Sequence, residues 1–127
     1  MEELHRDVIQ FILDEIESVP HLEALLLIRN SRPCKWSVED LSRRLYISPE
    51  GATALLEDLV RRDLLKSDPA GPAFFYDPPS DEQDSLIARL DDLYRQQLVR
   101  VTQLIHSKPS AALRDFARAF RFTKKND

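Results

Sequence analysis

Apolar positions recur at intervals of three and four along most of this chain, and the gaps between such runs fall at proline, serine and asparagine. Leu4, Val8, Phe11, Ile12, Ile16 and Val19 predict a first helix, and Pro20 restarts the chain into a second from His21 to Ile28. The second run is almost continuously apolar, as suits a helix sandwiched between others, and Asn30-Ser31-Arg32-Pro33 supplies its stop. From Ser37 the pattern becomes amphipathic. Ser37 can cap a helix with Asp40 three residues on in a capping-box-like place; Val38, Leu41 and Leu45 share one face that Tyr46 can extend, leaving Glu39, Ser42, Arg43 and Arg44 for solvent. After a tight turn, Ser48 can cap another helix with Pro49 in its first position and Ala52, Leu55, Leu56, Leu59 and Val60 as its buried stripe. Leu64–Ser67 can pair with Ala73–Tyr76 across the turn-forming residues Asp68 to Pro72, and a short strand around Lys35-Trp36 can join them.

Asp77-Pro78-Pro79-Ser80 breaks the chain, and Ser80 or Asp81 can cap one long helix reaching about His106. Along it Ile87, Leu90, Tyr94, Gln97, Val101 and Leu104 alternate by three and four, the spacing of a seam between helices, with Leu86, Leu93, Leu98 and Ile105 beside it. That is more apolar surface than one partner face covers, so Ile87, Leu90, Tyr94, Val101 and Leu104 are expected to hold a homodimer together, the alternative being that the helix packs back on its own domain. The expected fold is mainly α with a small β-hairpin wing, a winged helix-turn-helix, and a long C-terminal helix. Its expected organisation is a winged-helix domain over 1–79, a dimerisation helix over 80–107 and a basic amphipathic tail over 108–127.

WSVEDLSRRLYISPEGATALLEDLVRRDLL resembles the winged helix-turn-helix of bacterial regulators similar to the MarR and PadR families, through its Trp-Ser entry, the Leu41/Leu45 and Leu55/Leu59 spacing and the Leu64-Leu65 exit. The resemblance implies a dimeric DNA-binding transcriptional regulator with the second motif helix, Pro49 to Arg61, in the major groove and the wing along the backbone. It implies that Thr53 faces base edges and that Arg43, Arg44, Arg61, Arg62 and Lys66 meet phosphates.

Charge complicates that picture. Between Ser37 and Pro78 five basic residues face eight acidic ones, a balance of −3 within a chain of net charge −4. DNA binding draws its non-specific affinity from lysine and arginine surplus, which this motif lacks. The second motif helix has no Arg, Lys, Asn or Gln in its first two turns to read purine edges, and the wing loop from Asp68 to Pro72 has no basic residue. An acidic motif surface favours the alternative of a winged-helix module that binds protein and not DNA. The balance reverses after Ser107. Lys108, Arg114, Arg118, Arg121, Lys124 and Lys125 face only Asp115 and Asp127, and Leu113, Phe116, Ala117 and Phe120 share a stripe. Arg114, Phe116, Arg118, Phe120 and Arg121 are therefore candidates either to dock on the body of the protein or to engage a partner groove, an anionic membrane surface or nucleic acid.

The 127 residues, 43% of them apolar, suit one compact domain with an extension. No apolar run approaches the roughly 18 residues of a membrane span, the N-terminus lacks a signal-peptide core, and cytoplasm is the expected compartment. Cys34 is a lone cysteine and His5, His21 and His106 share no ligand spacing, so no metal site is expected. Trp36 reads as a core anchor, whereas Phe74, Phe75 and Tyr76 can alternate between a buried and an exposed face. Two glycines against eight prolines argue against a glycine-rich phosphate loop. With no nucleophile elbow, paired acid–base arrangement or cofactor fingerprint, neither enzymatic activity nor a cofactor is expected.

Overall fold

Serine hydroxyls open four helices of this protein. In the computed structural model, which describes residues 2–107, Ser18, Ser37, Ser48 and Ser80 each accept a backbone N–H three residues on, from His21, Asp40, Gly51 and Gln83 at 3.4, 3.1, 3.0 and 3.1 Å. They start α2 (Val19–Asn30), α3 (Val38–Leu45), α4 (Pro49–Arg61) and α5 (Asp81–Gln96); α1 (Glu2–Glu15) precedes them and α6 (Leu98–Ser107) follows. Pro20 and Pro49 sit in the first turns of α2 and α4, where no amide donor is lost. Asp40 does not complete a capping box: its carboxylate accepts from Arg43 at 2.9 Å instead.

The near-continuous apolar run becomes the centre of the molecule. Leu22, Ala24, Leu25 and Ile28 of α2 are fully buried. The helix packs against α3 and α4 and also against α6, while α1 packs on α5. Ile12, Ile16, Leu41, Leu56, Leu59, Leu65, Ile87 and Leu90 complete one continuous core.

The wing is shorter than its apolar pattern predicts. Strands β1 (Lys66–Ser67) and β2 (Phe74–Phe75) pair antiparallel, Lys66 opposite Phe75 and Ser67 opposite Phe74. Leu64 and Leu65 do not join them, because their amides bond the Leu59 carbonyl at 2.9 and 3.3 Å and close α4 after Asp63, whose φ is 63°. A third strand is present as a single bridge: Trp36 and Phe74 exchange two backbone hydrogen bonds of 2.8 Å. The half-buried Trp36 indole also donates to Ser31 Oγ at 2.9 Å, which fixes it between the end of α2 and the wing.

The stretch from Ser80 to Ser107 departs from the expected single helix. It breaks at Gln97 (φ −134°, ψ 55°) into α5 and α6. The change of direction lets α6 pack on both α5 and α2 and buries Val101 and Ile105. The expected dimer seam is corrected accordingly: Ile87, Leu90 and Val101 are packed inside this chain and offer no surface to a second copy, while Tyr94 and Leu104 are half-buried against the same core. The tail residues Arg114, Phe116, Arg118, Phe120 and Arg121 lie outside the described residues.

Tyr46 ends α3 in the left-handed conformation (φ 58°), where a Cβ is unfavourable, and its side chain is 94% exposed. Tyr46→Gly should therefore raise stability by about 0.5–1 kcal/mol in urea unfolding, since glycine accepts this backbone without strain and no packing is lost.

Candidate nucleic-acid interface

The turn between α3 and α4 is closed from inside. Ser42, read from the pattern as solvent-facing, is buried; its hydroxyl donates to the Ile47 carbonyl at 2.6 Å, and the Ile47 amide donates to the Ser42 carbonyl at 3.1 Å. This fixes the angle at which α4 leaves α3. Ala52, Leu55, Leu56 and Leu59 point α4 into the core, so Glu50, Gly51, Ala54, Glu57 and Arg61 form its exposed face.

The candidate contacts divide into outward and inward groups. Arg43, Arg44, Arg61 and Lys66 are exposed. Arg43 pairs with Asp40 at 2.9 Å and Arg61 pairs with Asp58; among the described residues, Arg44 and Lys66 have no ion-pair partner. Arg62 is a correction to the sequence reading. Only 23% exposed, it donates to Asp58 at 3.1 Å, to Glu15 at 3.3 Å and to the Asp14 carbonyl at 2.9 Å, and lies 3.6 Å from Glu17. It ties the end of α4 to the end of α1 and is not available to a phosphate. Thr53 is half-buried and its hydroxyl donates back to the Pro49 carbonyl at 2.9 Å, which leaves its methyl as the group it can present.

Asp58 organises the flank of α4, a role the sequence reading did not assign it. Its buried carboxylate receives Arg61 on Oδ1, Arg62 on Oδ2, and His21 Nε2 at 3.3 Å from Oδ2. His21 Nδ1 lies 2.6 Å from Ser18 Oγ. The arginine pairings were legible as i,i+3 and i,i+4 spacings on a helix, but nothing local announces His21. Serine, histidine and aspartate in a row invite comparison with a hydrolytic triad. Here, however, the serine oxygen caps α2 and the carboxylate holds two guanidiniums, so neither is free for nucleophilic work. Among the described residues no group of three or more His, Cys, Asp or Glu side chains is placed to hold a metal ion.

The wing is held at both ends. Lys35, outside the candidate set, lies 2.8 Å from Asp68 in the loop and 5.4 Å from the Phe75 ring centroid, and its hydrogen bond holds the Asp68 carboxyl below the usual range. Neither Phe74 nor Phe75 is left fully exposed, contrary to a strict alternation. At the root, the buried Tyr76 hydroxyl donates to Asp84 Oδ1 at 2.7 Å, where Arg29 (3.0 Å) and Arg32 (3.2 Å) also converge from the end of α2. Burial and the adjoining Asp84 push the Tyr76 hydroxyl pKa upward. The Tyr76 hydrogen bond, assisted by Arg29 and Arg32, holds the Asp84 carboxyl below its ordinary range against the opposing effect of burial.

A depressed carboxyl pKa contributes stability that is present above the unfolded value, about 3.9, and is lost as pH falls through the folded value. Asp84→Asn should accordingly lower stability at neutral pH, with the deficit relative to the parent shrinking as acid is added. Tyr76→Phe should move the acid-unfolding midpoint to higher pH; circular dichroism against pH reads both.

No protein-family model matches the chain, and no curated protein matches its sequence significantly. Solved structures do match. The chain is similar to a MarR family protein from Bacillus stearothermophilus, with a TM-score of 0.52 at 16% identity over 98% of this chain and 85% of that one. It is equally similar to the YusO protein from Bacillus subtilis, with a TM-score of 0.52 at 12% identity over 98% and 84% of the two chains. The adhesin competence repressor AdcR from Streptococcus pyogenes gives a TM-score of 0.50 at 16% identity over 99% and 96%. At such identities the likeness is one of architecture: the chain has the winged helix-turn-helix fold seen in MarR family proteins.

Proposed function

We propose that this protein is a transcriptional regulator that binds duplex DNA as a homodimer, with α4 in the major groove and the wing along the backbone. The observation that carries the reading is the outward face of α4, left uncovered by every described element and flanked by the exposed Arg43, Arg44 and Lys66. The fold shared with a repressor from Streptococcus pyogenes supports the same reading. Arg44 and Lys66 are the immediate phosphate contacts, and Arg43 and Arg61 reach phosphates by leaving their aspartates. The Thr53 methyl suits a thymine methyl, and Glu50 and Glu57 suit the cytosine amino group, so specificity comes with little non-specific attraction.

A salt titration of binding to random duplex DNA tests this. Binding should appear at low salt and fall steeply as salt rises, and Arg43→Ala with Arg44→Ala should flatten the log–log slope by about two units. One observation favours a second reading, a protein-binding module: the exposed face of α4 carries Glu50 and Glu57, while its one arginine is paired to Asp58. Absence of binding at low salt would decide for that reading.

With the inner seam residues buried, a second copy is proposed to meet the exposed apolar side chains of α1 and α6. Ile9, Leu98 and Val99 are 38%, 51% and 66% exposed. Leu98→Glu with Val99→Glu should convert the dimer to a monomer in sedimentation velocity without loss of helix signal. An unchanged sedimentation coefficient would show that these side chains do not hold the subunits.

A further inference from the structure

We infer that His21 is a positioning residue for Arg61: through Asp58 it sets how firmly the outward arginine of α4 is held, and so makes the DNA affinity of the proposed regulator rise as pH falls. The inference rests on the DNA-binding reading.

The geometry fixes the hydrogen-bond roles. A carboxylate only accepts, so the neutral imidazole carries its proton on Nε2 toward Asp58 Oδ2, 3.3 Å away, and Nδ1 accepts the Ser18 hydroxyl at 2.6 Å. Protonation turns Nδ1 into a donor to Ser18 Oγ, which retains its backbone contact with the His21 amide. It also puts a full positive charge beside a carboxylate that already serves two guanidiniums. One of the two must loosen, and they are not equally anchored. Arg62 is also held by Glu15, Glu17 and the Asp14 carbonyl and is 23% exposed, whereas Arg61 is 73% exposed with Asp58 as its ion-pair partner. Arg61 is the one that yields.

Among the described residues Asp58 lies against His21, Arg61 and Arg62 of α4 share that carboxylate, and Glu15 at the end of α1 and Glu17 in the link to α2 stand behind Arg62. Among the described residues lining the cavity beside His21, the α3–α4 turn contributes Ile47. His21 opens onto a shallow cavity of about 260 Å³ that it shares with Ile47, Gly51, Ala54 and Leu55, so solvent protons reach it beside the exposed face of α4. Of the groups gathered around Asp58, histidine is the side chain type that can gain a charge near neutral pH.

Two measurements on the full chain test the link, both in a His5→Gln, His106→Gln background so that His21 is the sole histidine. The first follows the His21 Cε1–H resonance against pH with and without Arg61→Gln. Removing the Arg61 cation should raise the midpoint of that titration; identical curves would overturn the inference. The second measures binding to random duplex DNA at pH 8 and pH 5.5 at constant ionic strength. The background protein should bind about two- to fivefold tighter at pH 5.5, the scale of one exposed charge contact. His21→Gln, which keeps a donor and an acceptor but cannot titrate, should remove that gain, and so should Arg61→Gln. A gain that survives His21→Gln, or no gain in the background protein, would overturn the inference. If no DNA is bound at either pH, the regulator reading fails, and the resonance comparison alone decides whether His21 and Arg61 are coupled.

Discussion

The structure depends on covering one helix. Leu22, Ala24, Leu25, Leu26 and Ile28 leave α2 only a narrow outward edge at Glu23 and Asn30, so the neighbouring elements must contribute apolar sides. α3 and α4 give theirs to one flank and α6 gives its own to another. Two consequences follow. The inner stripe of α4 is used up by packing, which leaves its opposite face outward. The last helix cannot run straight, and it turns at Gln97 because Val101 and Ile105 belong to the same core as Ile87 and Leu90.

Much of this was legible in the sequence because it is local. Serine caps, prolines in first turns and three-four apolar spacing act within a few residues, and they located α2, α3, α4 and the start of α5. What depended on distant partners was not legible. The periodicity of Ile87, Leu90 and Val101 reports that they are buried, but periodicity alone does not say whether a second copy or the chain's own α2 does the burying. Arg62 and Arg61 are adjacent and alike in sequence, yet one faces a junction built by Glu15 and Glu17 and the other faces solvent. Ser42 looked polar and exposed because its role, closing the turn onto Ile47, needs the turn to be known first.

The electrostatic character of the surface has the same origin. Arg29, Arg62, Arg89 and Arg95 are engaged with Asp84, Asp58, Asp7 and Asp91, pairs that join α2 to α5, brace the end of α4, bridge α1 to α5 and fix a turn of α5. Arg29, Arg62 and Arg89 link neighbouring elements, whereas Arg95 pairs within its own helix. Individually, exposed pairs of this kind stabilise little, but as cross-links between elements they specify relative orientation. Within the motif Arg62 is engaged in this way, so not all five of its basic residues face outward.

The two hydrogen bonds between Trp36 and Phe74 join the chain just before α3 to the chain just after the wing loop, with Lys35–Asp68 as a second clasp. Topologically, the helix-turn-helix and its wing become a ring fastened at its own neck. A ring of this kind closes its large loop once, and its parts then share a single loop-closure entropy. Displacing the neck therefore carries α4 and the wing together as one piece, and the spacing between them is a fixed dimension of the module.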